Sequence, residues 1–211
     1  MFQKLYDRYL CPHVINWAMQ SKSITKQREK VVPYASGRVL EIGIGSGLNF
    51  KHYKQSNIKE IFAVEPDSTL LEKAKIRAKE NNISLNIQKI PAESLPFENN
   101  SFDTVLSTYT MCSISNLQLA LNEMKRVLKK DGKFIFSEHG KSPDLNIYKW
   151  QKRLNPIQKR IGGGCHLDIN IPSVIKYAGF ELSDLNSMYI PGPRFLSYHY
   201  WGSAFLGDKD V

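Results

Sequence analysis

Three glycines at alternate positions, Gly43, Gly45 and Gly47, follow a short apolar run that contains a single acid, Glu41. The run predicts a buried strand, and the glycines allow a sharp turn that brings the backbone close to a ligand. A helix is expected to begin near Leu48, and its first N–H groups would be free to bind the same ligand. These residue types therefore predict a binding site between a strand and a helix.

A second acid, Glu65, ends another apolar run and lies 22 positions after Gly43. This distance suits a β-α-β unit, in which a carboxylate at the strand end accepts hydrogen bonds from both hydroxyls of a ribose. NAD-binding folds use the same device, so Glu65 predicts a nucleoside ligand without choosing its class. The dinucleotide pattern G-x-G-x-x-G would need glycine at position 48, where the chain has leucine.

Apolar periodicity and capping residues predict the elements that position these groups. Strands are predicted at residues 39–42, 58–65, 85–90, 102–107, 133–139, 179–182 and 194–205. Besides the helix after the glycine turn, helices are predicted at residues 67–80, 116–128, 143–161 and 173–178. Asp67 or Ser68 would cap the first of these four and Asn116 the second, Asp131-Gly132 would stop the second, and Pro156 would kink or split the third. Residues 108–112 follow a strand and should line a pocket, because ligands of doubly wound sheets bind at the carboxyl ends of strands.

Four motifs in this order resemble those of class I S-adenosylmethionine-dependent methyltransferases, over about residues 37–140. They are E-x-G-x-G-x-G from Glu41, the acid Glu65, A-E-x-L-P-F with S-F-D over residues 92–103, and R-V-L-K-x-D-G-x-F over residues 126–134. The resemblance implies an α/β fold with a doubly wound, seven-stranded, mostly parallel, Rossmann-like sheet that ends in an antiparallel hairpin.

The resemblance also implies roles for single residues toward S-adenosylmethionine. In that family the strand acid, here Glu41, faces the cationic methionine end, and the acid at the next strand end, here Glu65, binds the ribose. The pair that matches Ala92 and Glu93 lies beside the adenine, with the acid accepting a bond from the exocyclic amine. The predicted cofactor contacts are Glu41, Gly43, Gly45, Gly47, Glu65, Ala92, Glu93 and Thr108.

Length and composition predict one domain over residues 1–211, since 211 residues with 42% hydrophobic content can bury one substantial core. It would comprise an N-terminal helical arm (residues 1–36), a cofactor-binding core (37–140) and a C-terminal part with a substrate-side loop (141–211). No stretch approaches the ~18 apolar residues of a membrane span, and the first residues lack a secretory signal's apolar segment. Three cysteines, too scattered for a disulfide framework or a zinc site, agree with a cytoplasmic setting and predict no metal.

The net charge of +9 attracts polyanions, but the basic residues are spread along predicted helical faces, which is typical of solvated surfaces. Methyltransferases that modify amino groups of nucleic acids usually carry an Asn/Asp-Pro-Pro-aromatic run after the fourth strand. Residues 108–111, Thr-Tyr-Thr-Met, occupy that place. A nucleic-acid partner is therefore not the favoured prediction, although it stays an alternative.

The N-terminal arm carries Phe2, Leu5, Tyr6, Tyr9 and Leu10 at helical spacing, and apolar residues continue beyond them. Three interpretations of this helix stay open. It could pack on the edge of the sheet, it could close over the cofactor cleft as a lid, or it could lie on a membrane surface with basic residues near the lipid head groups.

A narrower likeness concerns the methyl acceptor. T-x-x-M-C-S-I after Thr108, S-E-H ending at His139 and G-C-H-L from Gly164 resemble small thiol methyltransferases, with bacterial phospholipid N-methyltransferases as a neighbouring match. This predicts a small-molecule or lipid-like acceptor, possibly a thiol, while an NAD-binding oxidoreductase and a non-catalytic cofactor-binding scaffold remain rival classes.

His139 is the candidate general base by position, Cys112 is expected to pack in the core, and the loop of Cys165 and His166 is expected to border the acceptor. The aromatic residues of the arm, Tyr6, Tyr9 and Trp17, and those of residues 195–201 are expected to roof the cleft; the sequence indicates no oligomeric state.

Overall fold

A computed structural model describes residues 2–207 and folds them around one seven-stranded sheet. The strands are β1 Gly37–Ile42, β2 Ile58–Val64, β3 Leu85–Gln88, β4 Phe102–Thr108, β5 Leu128–His139, β6 Phe180–Tyr189 and β7 Tyr198–Leu206. Their order across the sheet is β3-β2-β1-β4-β5-β7-β6. Strands β1 to β5 pair in parallel, whereas β7 runs antiparallel to both β5 and β6. The predicted mostly parallel sheet with a final antiparallel hairpin is confirmed.

Helices connect the strands and cover both faces of the sheet. They are α1 Phe2–Leu5, α2 Cys11–Ala18, α3 Lys22–Arg28, α4 Ser68–Glu80, α5 Leu117–Val127, α6 Leu145–Ile161 and α7 Ile171–Tyr177, with a π-helical turn at Tyr6–Leu10 between α1 and α2. Two predicted caps are confirmed, because Asp67 accepts a bond from the Leu70 N–H at 2.8 Å and Asn116 one from the Leu119 N–H at 3.1 Å.

The core consists of two layers, one on each face of the sheet, because successive strand residues point to opposite faces. Val105 and Phe134 pack with α5 and α7 on one face. Their neighbours Leu106 and Ile135 pack with α4 and with residues 31–35 of the N-terminal arm on the other. With both faces covered, the carboxyl edge of the sheet is left for a ligand.

The α-helix predicted near Leu48 is wrong. The chain there forms turns and one 3₁₀ turn, Phe50–His52. Gly47 has φ +77°, and the Phe50 ring packs against its α-carbon. Asn49 and Tyr53 turn inward to bind the buried Glu41, so the segment follows those contacts instead of a helical path.

Other details differ from the prediction, including the start of β7 at Tyr198 where residue 194 was predicted. Strand β5 begins at Leu128, not at residue 133, because Leu128 pairs with Phe102 before the register shifts. Helix α6 continues through Pro156 as one helix, so the alternative of a split there is wrong. Pro156 and Lys152, whose carbonyl lacks its helical donor, are both exposed, so water can satisfy that carbonyl.

Candidate active site

A cavity of ≈ 380 Å³ lies at the carboxyl ends of β1, β2 and β4. The core contributes residues 43–46, 64–67, 90–93, 108–110 and 113–115 to its wall, and the N-terminal arm contributes others. Of the predicted contacts, the wall includes Gly43, Gly45, Glu65, Ala92, Glu93 and Thr108. Glu41, Gly47 and His139 lie outside the wall. The structure thus brings six of the nine predicted site residues to one cavity.

The glycine turn serves two different purposes. Gly43 has φ +62°, and a β-carbon on it would overlap the Thr110 side chain, so only glycine lets β4's loop pack this closely. At Gly45, with φ +55°, a β-carbon would meet only the Gly43 carbonyl, at 4.0 Å. The backbone of Gly45 is therefore open to a ligand.

Glu65 ties the glycine turn to the end of β2. One carboxylate oxygen accepts a bond from the Gly45 N–H at 2.8 Å, and the other accepts one from the Asp67 N–H at 2.9 Å. Burial raises the pKa of Glu65, and these backbone bonds act against that rise. Each oxygen keeps a further lone pair. The carboxylate can therefore accept bonds from a pair of neighbouring hydroxyls, as a ribose presents.

Glu41 lies beneath the cavity wall, where its carboxylate is 1% exposed. It accepts bonds from Asn49 Nδ2 at 2.8 Å and from the Tyr53 hydroxyl at 2.6 Å. Burial raises the pKa of Glu41 to about 7, although the bonds from Tyr53 and Asn49 lower it. Asn49 stands between this acid and the cavity, so Glu41 can act on a ligand through Asn49 and through its charge.

Asn49 and Arg28, which sequence reasoning missed, supply the polar groups of the wall next to Glu41. Asn49 Nδ2 also donates to the Thr108 hydroxyl at 2.9 Å, while its buried Oδ1 has no partner in the described chain. Arg28, 4% exposed, lies over the Tyr109 ring and donates to the Met19 carbonyl, and its Nε is likewise unpaired within residues 2–207. An unpaired acceptor beside a buried cation fits the ammonium and carboxylate of an amino-acid group, as S-adenosylmethionine carries.

The local sequence gives a hint of the role of Asn49 but none of the role of Arg28. Asn49 is a polar residue directly after a glycine turn and could have been noticed there. Arg28 is one of several basic residues in α3, and nothing in its local sequence distinguishes it.

The adenine contacts predicted by resemblance, Ala92 and Glu93, both line the cavity. Ala92 is buried, and Glu93 is half-buried with one oxygen accepting from the Asn116 N–H at 3.1 Å. Because Asn116 also caps α5, this bond fixes Glu93 relative to the helix. The second carboxylate oxygen of Glu93 can accept from an amine in the cavity.

The N-terminal arm spans the cavity from α6 to α4. The Tyr6 hydroxyl donates to the Ile161 carbonyl at 2.7 Å, and Asn16 Oδ1 accepts two bonds from Arg77, each 3.2 Å long. Six arm residues of α2 and the turns on either side of it contribute to the wall: Asp7, Cys11, Pro12, Ile15, Asn16 and Met19. Arm residues therefore cover the cavity, which is the arrangement a lid requires.

The expected aromatic roof is wrong in its residues. Tyr9 is 57% and Trp17 77% exposed, so both point away from the cavity, and Tyr6 reaches α6. Residues 198–201 lie in β7, outside the cavity wall. The side chains of Phe2 and Lys4, part of the same predicted helix, lie outside what the structure describes. Apolar cover comes instead from the α2 face that carries Ile15.

Three residues far apart in sequence meet behind the cavity wall, and we call Cys112, His139 and Cys165 the sulfur–imidazole cluster. Their ligand atoms all lie within 4.8 Å of one another, and Cys165 Sγ lies 3.2 Å from His139 Nε2. All three are buried, and all the cysteines of the chain are free thiols. Two of the three cysteines, which are scattered in the sequence, therefore lie close together in the fold.

The surroundings of Cys165 favour its thiolate form. The hydrogen bond from the Cys112 thiol, together with the charge of His139, lowers the pKa of Cys165 to about 4. Burial alone would lower the pKa of His139, but the thiolate outweighs it and the pKa is raised. The N–H of His166 binds the Cys112 carbonyl at 2.8 Å, which fixes the loop of Cys165 to the segment after β4.

Glu138, which the sequence analysis gives only as part of the S-E-H motif, binds the segment after β4. Its carboxylate accepts bonds from the Ser107 hydroxyl at 2.9 Å and from the Thr110 N–H at 3.0 Å. Burial raises its pKa to about 7, with these bonds opposing the rise. Tyr109, which lies between Ser107 and Thr110, has φ +57°, a strained conformation for a residue with a side chain. Its hydroxyl forms a hydrogen bond with His199 Nδ1 at 3.0 Å.

Comparisons with known proteins agree with this geometry. A family model described as a methyltransferase domain matches residues 40–136. Human thiol S-methyltransferase TMT1B is 31% identical over 176 residues, which cover 78% of this chain and 70% of that protein. Human thiol S-methyltransferase TMT1A is 29% identical over 203 residues, with 90% and 81% covered. The chain spans about half the length of two other relatives, Bacillus subtilis methyltransferase YcgJ (49%) and rat TMT1B (54%).

Two solved structures show the same fold at low identity. YcgJ from Bacillus subtilis has a TM-score of 0.64 at 19% identity and covers 87% of this chain and 95% of its own. The cyclase SpnF has a TM-score of 0.69 at 16% identity, with 98% and 96% covered. Because these likenesses include a cyclase, the fold alone does not determine the reaction.

Proposed function

Because the chain belongs to the class I S-adenosylmethionine-dependent methyltransferases, we propose that it methylates a small-molecule or lipid-like acceptor. A thiol is the first candidate for that acceptor. The methyl donor follows from the family, whereas the acceptor is the proposed part. One observation carries the proposal: the N-terminal arm covers the cavity with apolar side chains such as Ile15 and Met19, while the polar anchors other than Arg28 come from the segments that follow the strands. Relatives near 30% identity that include thiol S-methyltransferases support a thiol. A lipid amine, as in phospholipid N-methylation, is the second candidate.

In the cofactor site, Glu65 would bind the ribose hydroxyls, and Ala92 with Glu93 would hold the adenine. Asn49 Oδ1 would accept from the ammonium of the methionine end, with Glu41 behind it, and Arg28 would bind the carboxylate. The unpaired polar atoms of Asn49 and Arg28 support this direction of binding, since a bound amino-acid group would satisfy both.

S-adenosylmethionine supplies a methyl group on a sulfonium sulfur, and its transfer is an in-line displacement. Positioning the acceptor against that carbon can contribute about 7–11 kcal/mol, so the chain needs no covalent catalyst. The arm would exclude water and hold the acceptor. His139 stays a candidate base, with Nε2 already engaged by Cys165 and Nδ1 without a partner among residues 2–207.

The arm would also reach a lipid surface from the cytoplasm. Tyr9, Leu10 and Trp17 are exposed beside Arg8, which supports a peripheral membrane contact. Within residues 2–207, no helix is both long and apolar enough to cross a bilayer.

The test supplies radiolabelled S-adenosylmethionine with separate pools of small thiols, phospholipids, amines and RNA. We expect label in thiols, with a lower yield in lipids. Label in RNA alone would overturn the proposal and favour a nucleic-acid methyltransferase. Cofactor binding without label in any pool would favour a scaffold without catalysis. The rival NAD-binding oxidoreductase is set aside, because the family and the relatives are methyltransferases.

A further inference from the structure

We propose that the sulfur–imidazole cluster is a metal site for Zn²⁺, bound by Cys112 Sγ, His139 Nε2 and Cys165 Sγ. Two thiolates and an imidazole are the ligands that zinc prefers. The proposal concerns residues that the cofactor site does not use, and metal binding does not depend on which acceptor is methylated.

The spacing of the ligand atoms fits a tetrahedral ion. Zinc–sulfur and zinc–nitrogen bonds of ordinary length place two sulfurs about 3.8 Å apart and a sulfur and a nitrogen about 3.5 Å apart. In the cluster, Cys165 Sγ and His139 Nε2 are 3.2 Å apart, and all three ligand atoms lie within 4.8 Å of one another. Shifts of about 1 Å or less would complete the geometry.

The ligands come from three segments that the fold brings together. Cys112 follows β4, His139 ends β5 and Cys165 lies in the connector after α6. The bond between the His166 N–H and the Cys112 carbonyl already joins two of these segments. The site would therefore be largely formed before the ion binds, which reduces the cost of ordering the ligands.

Three protein ligands leave one position of a tetrahedral zinc for another molecule. Among the described residues, no histidine, cysteine or acid other than these three belongs to the group. The cluster lies directly behind the cavity wall, because Ser113 and Gly163, neighbours of Cys112 and Cys165 in sequence, line the cavity. The open position suits an acceptor thiol, and this step rests on the proposed function.

The acceptor thiol would replace a water molecule on the zinc and lose its proton to solvent, since thiols bound to a metal are deprotonated. A lone pair of its sulfur then forms the new carbon–sulfur bond while the sulfonium carbon–sulfur bond breaks, and that bonding pair stays on the departing sulfur. No electron enters or leaves, so the step needs no oxidant or reductant.

Metal binding is tested on the full chain, stripped with a chelator and re-equilibrated with Zn²⁺ against a chromogenic competitor. We expect one tightly bound Zn²⁺ per chain and, with Co²⁺ instead, a thiolate-to-cobalt charge-transfer band. Cys112→Ser and Cys165→Ser should each weaken Zn²⁺ binding at least about tenfold. The matched control Cys11→Ser, another buried free thiol, should retain the ion.

Wild-type protein that binds neither Zn²⁺ nor Co²⁺ through thiolate would overturn the proposal, even if both serine variants failed to fold. A Cys112–Cys165 disulfide in freshly purified protein that resists metal loading would do the same. The acceptor step has its own readout. If zinc is bound but its removal leaves the rate of thiol methylation unchanged, zinc activation is wrong. If zinc is bound and no thiol is methylated, the proposed acceptor fails while the metal site stands.

Discussion

The two sides of the cavity are built in different ways. The proposed cofactor side comes mainly from residues 41–93, and its acids already have partners nearby: Glu65 accepts bonds from Gly45 and Asp67, and Glu93 accepts one from Asn116. The acceptor side comes from the N-terminal arm, the segment after β4, the end of β5 and the connector after α6. There Tyr6 reaches Ile161, and Cys165 meets His139.

This difference predicts that the two sides can be separated by mutation. Changes on the cofactor side should weaken binding of S-adenosylhomocysteine, the demethylated cofactor, and with it every reaction. Changes on the acceptor side should leave that affinity nearly intact and lower transfer.

Glu65→Ala should give the largest loss. It removes the acceptor for two hydroxyls, each such bond to a charged group contributing about 1.5–3 kcal/mol, so S-adenosylhomocysteine affinity should fall by about 100-fold or more. Calorimetric titration measures this loss. Glu72→Ala, an exposed acid of α4 that pairs only with Lys75 among the described residues, is the matched control and should bind normally. Near-normal binding by Glu65→Ala would contradict the assignment.

Removing residues 1–20 should lower methyl transfer by more than about tenfold, because a lid that excludes water and holds the acceptor is lost. Affinity for S-adenosylhomocysteine should change less. Transfer rates and calorimetry on the same preparation separate the two effects, and thermal unfolding shows whether the domain stays folded. A truncated protein that unfolds would mean that the arm belongs to the core and is not a lid.

Glu41→Gln should change how stability depends on pH. In the wild type, burial raises the pKa of Glu41 to about 7 from 4.5. The folded state therefore binds this proton more tightly than the unfolded state does. The free energy of unfolding falls as pH rises from about 4.5 to about 7, by at most about 3 kcal/mol. Glu138, also raised to about 7, contributes a similar fall in both proteins. Urea unfolding between pH 4.5 and 8 should show a shallower decline in Glu41→Gln.

The same variant should lose the pH dependence of cofactor binding. Affinity for a ligand with a cationic ammonium should rise with pH as Glu41 ionises, and Glu41→Gln should bind more weakly at pH 8. Equal affinities and equal pH profiles in the two proteins would place the ammonium elsewhere.

Tyr6→Phe should give the smallest effect. It removes one exposed bond from the arm to the Ile161 carbonyl, worth about 0.5–1.5 kcal/mol. KM for the acceptor should rise a few-fold, with S-adenosylhomocysteine affinity unchanged. Tyr9→Phe, whose side chain is exposed, serves as the control. A matching loss of cofactor affinity in Tyr6→Phe would mean that the two sides are coupled.

The sequence placed residues at the cavity better in the sheet than in the N-terminal arm, for a physical reason. A strand, a glycine turn and a terminal acid are local features, so the position of Gly45 and Glu65 at the cavity could be predicted from spacing. The helix near Leu48 failed because Asn49 and Tyr53 are held by the buried Glu41, and burial of that acid is a tertiary property.

The acceptor side depends on contacts between distant residues. Cys112 and Cys165 are 53 positions apart in sequence. Nothing in the local sequence around either cysteine indicates that the fold brings both sulfurs close to the His139 imidazole. Arg28 reaches the cavity only because the arm folds back over the sheet. The outward direction of Trp17 also follows from the packing of the arm, which helical periodicity does not determine.

A crystal structure with S-adenosylhomocysteine bound would test the central assignment most directly. We expect the ribose hydroxyls on Glu65, the adenine beside Ala92 and Glu93, and the amino-acid end between Asn49 Oδ1 and Arg28. A nucleoside bound in the reverse direction, or an amino-acid end that leaves Asn49 and Arg28 unpaired, would contradict it.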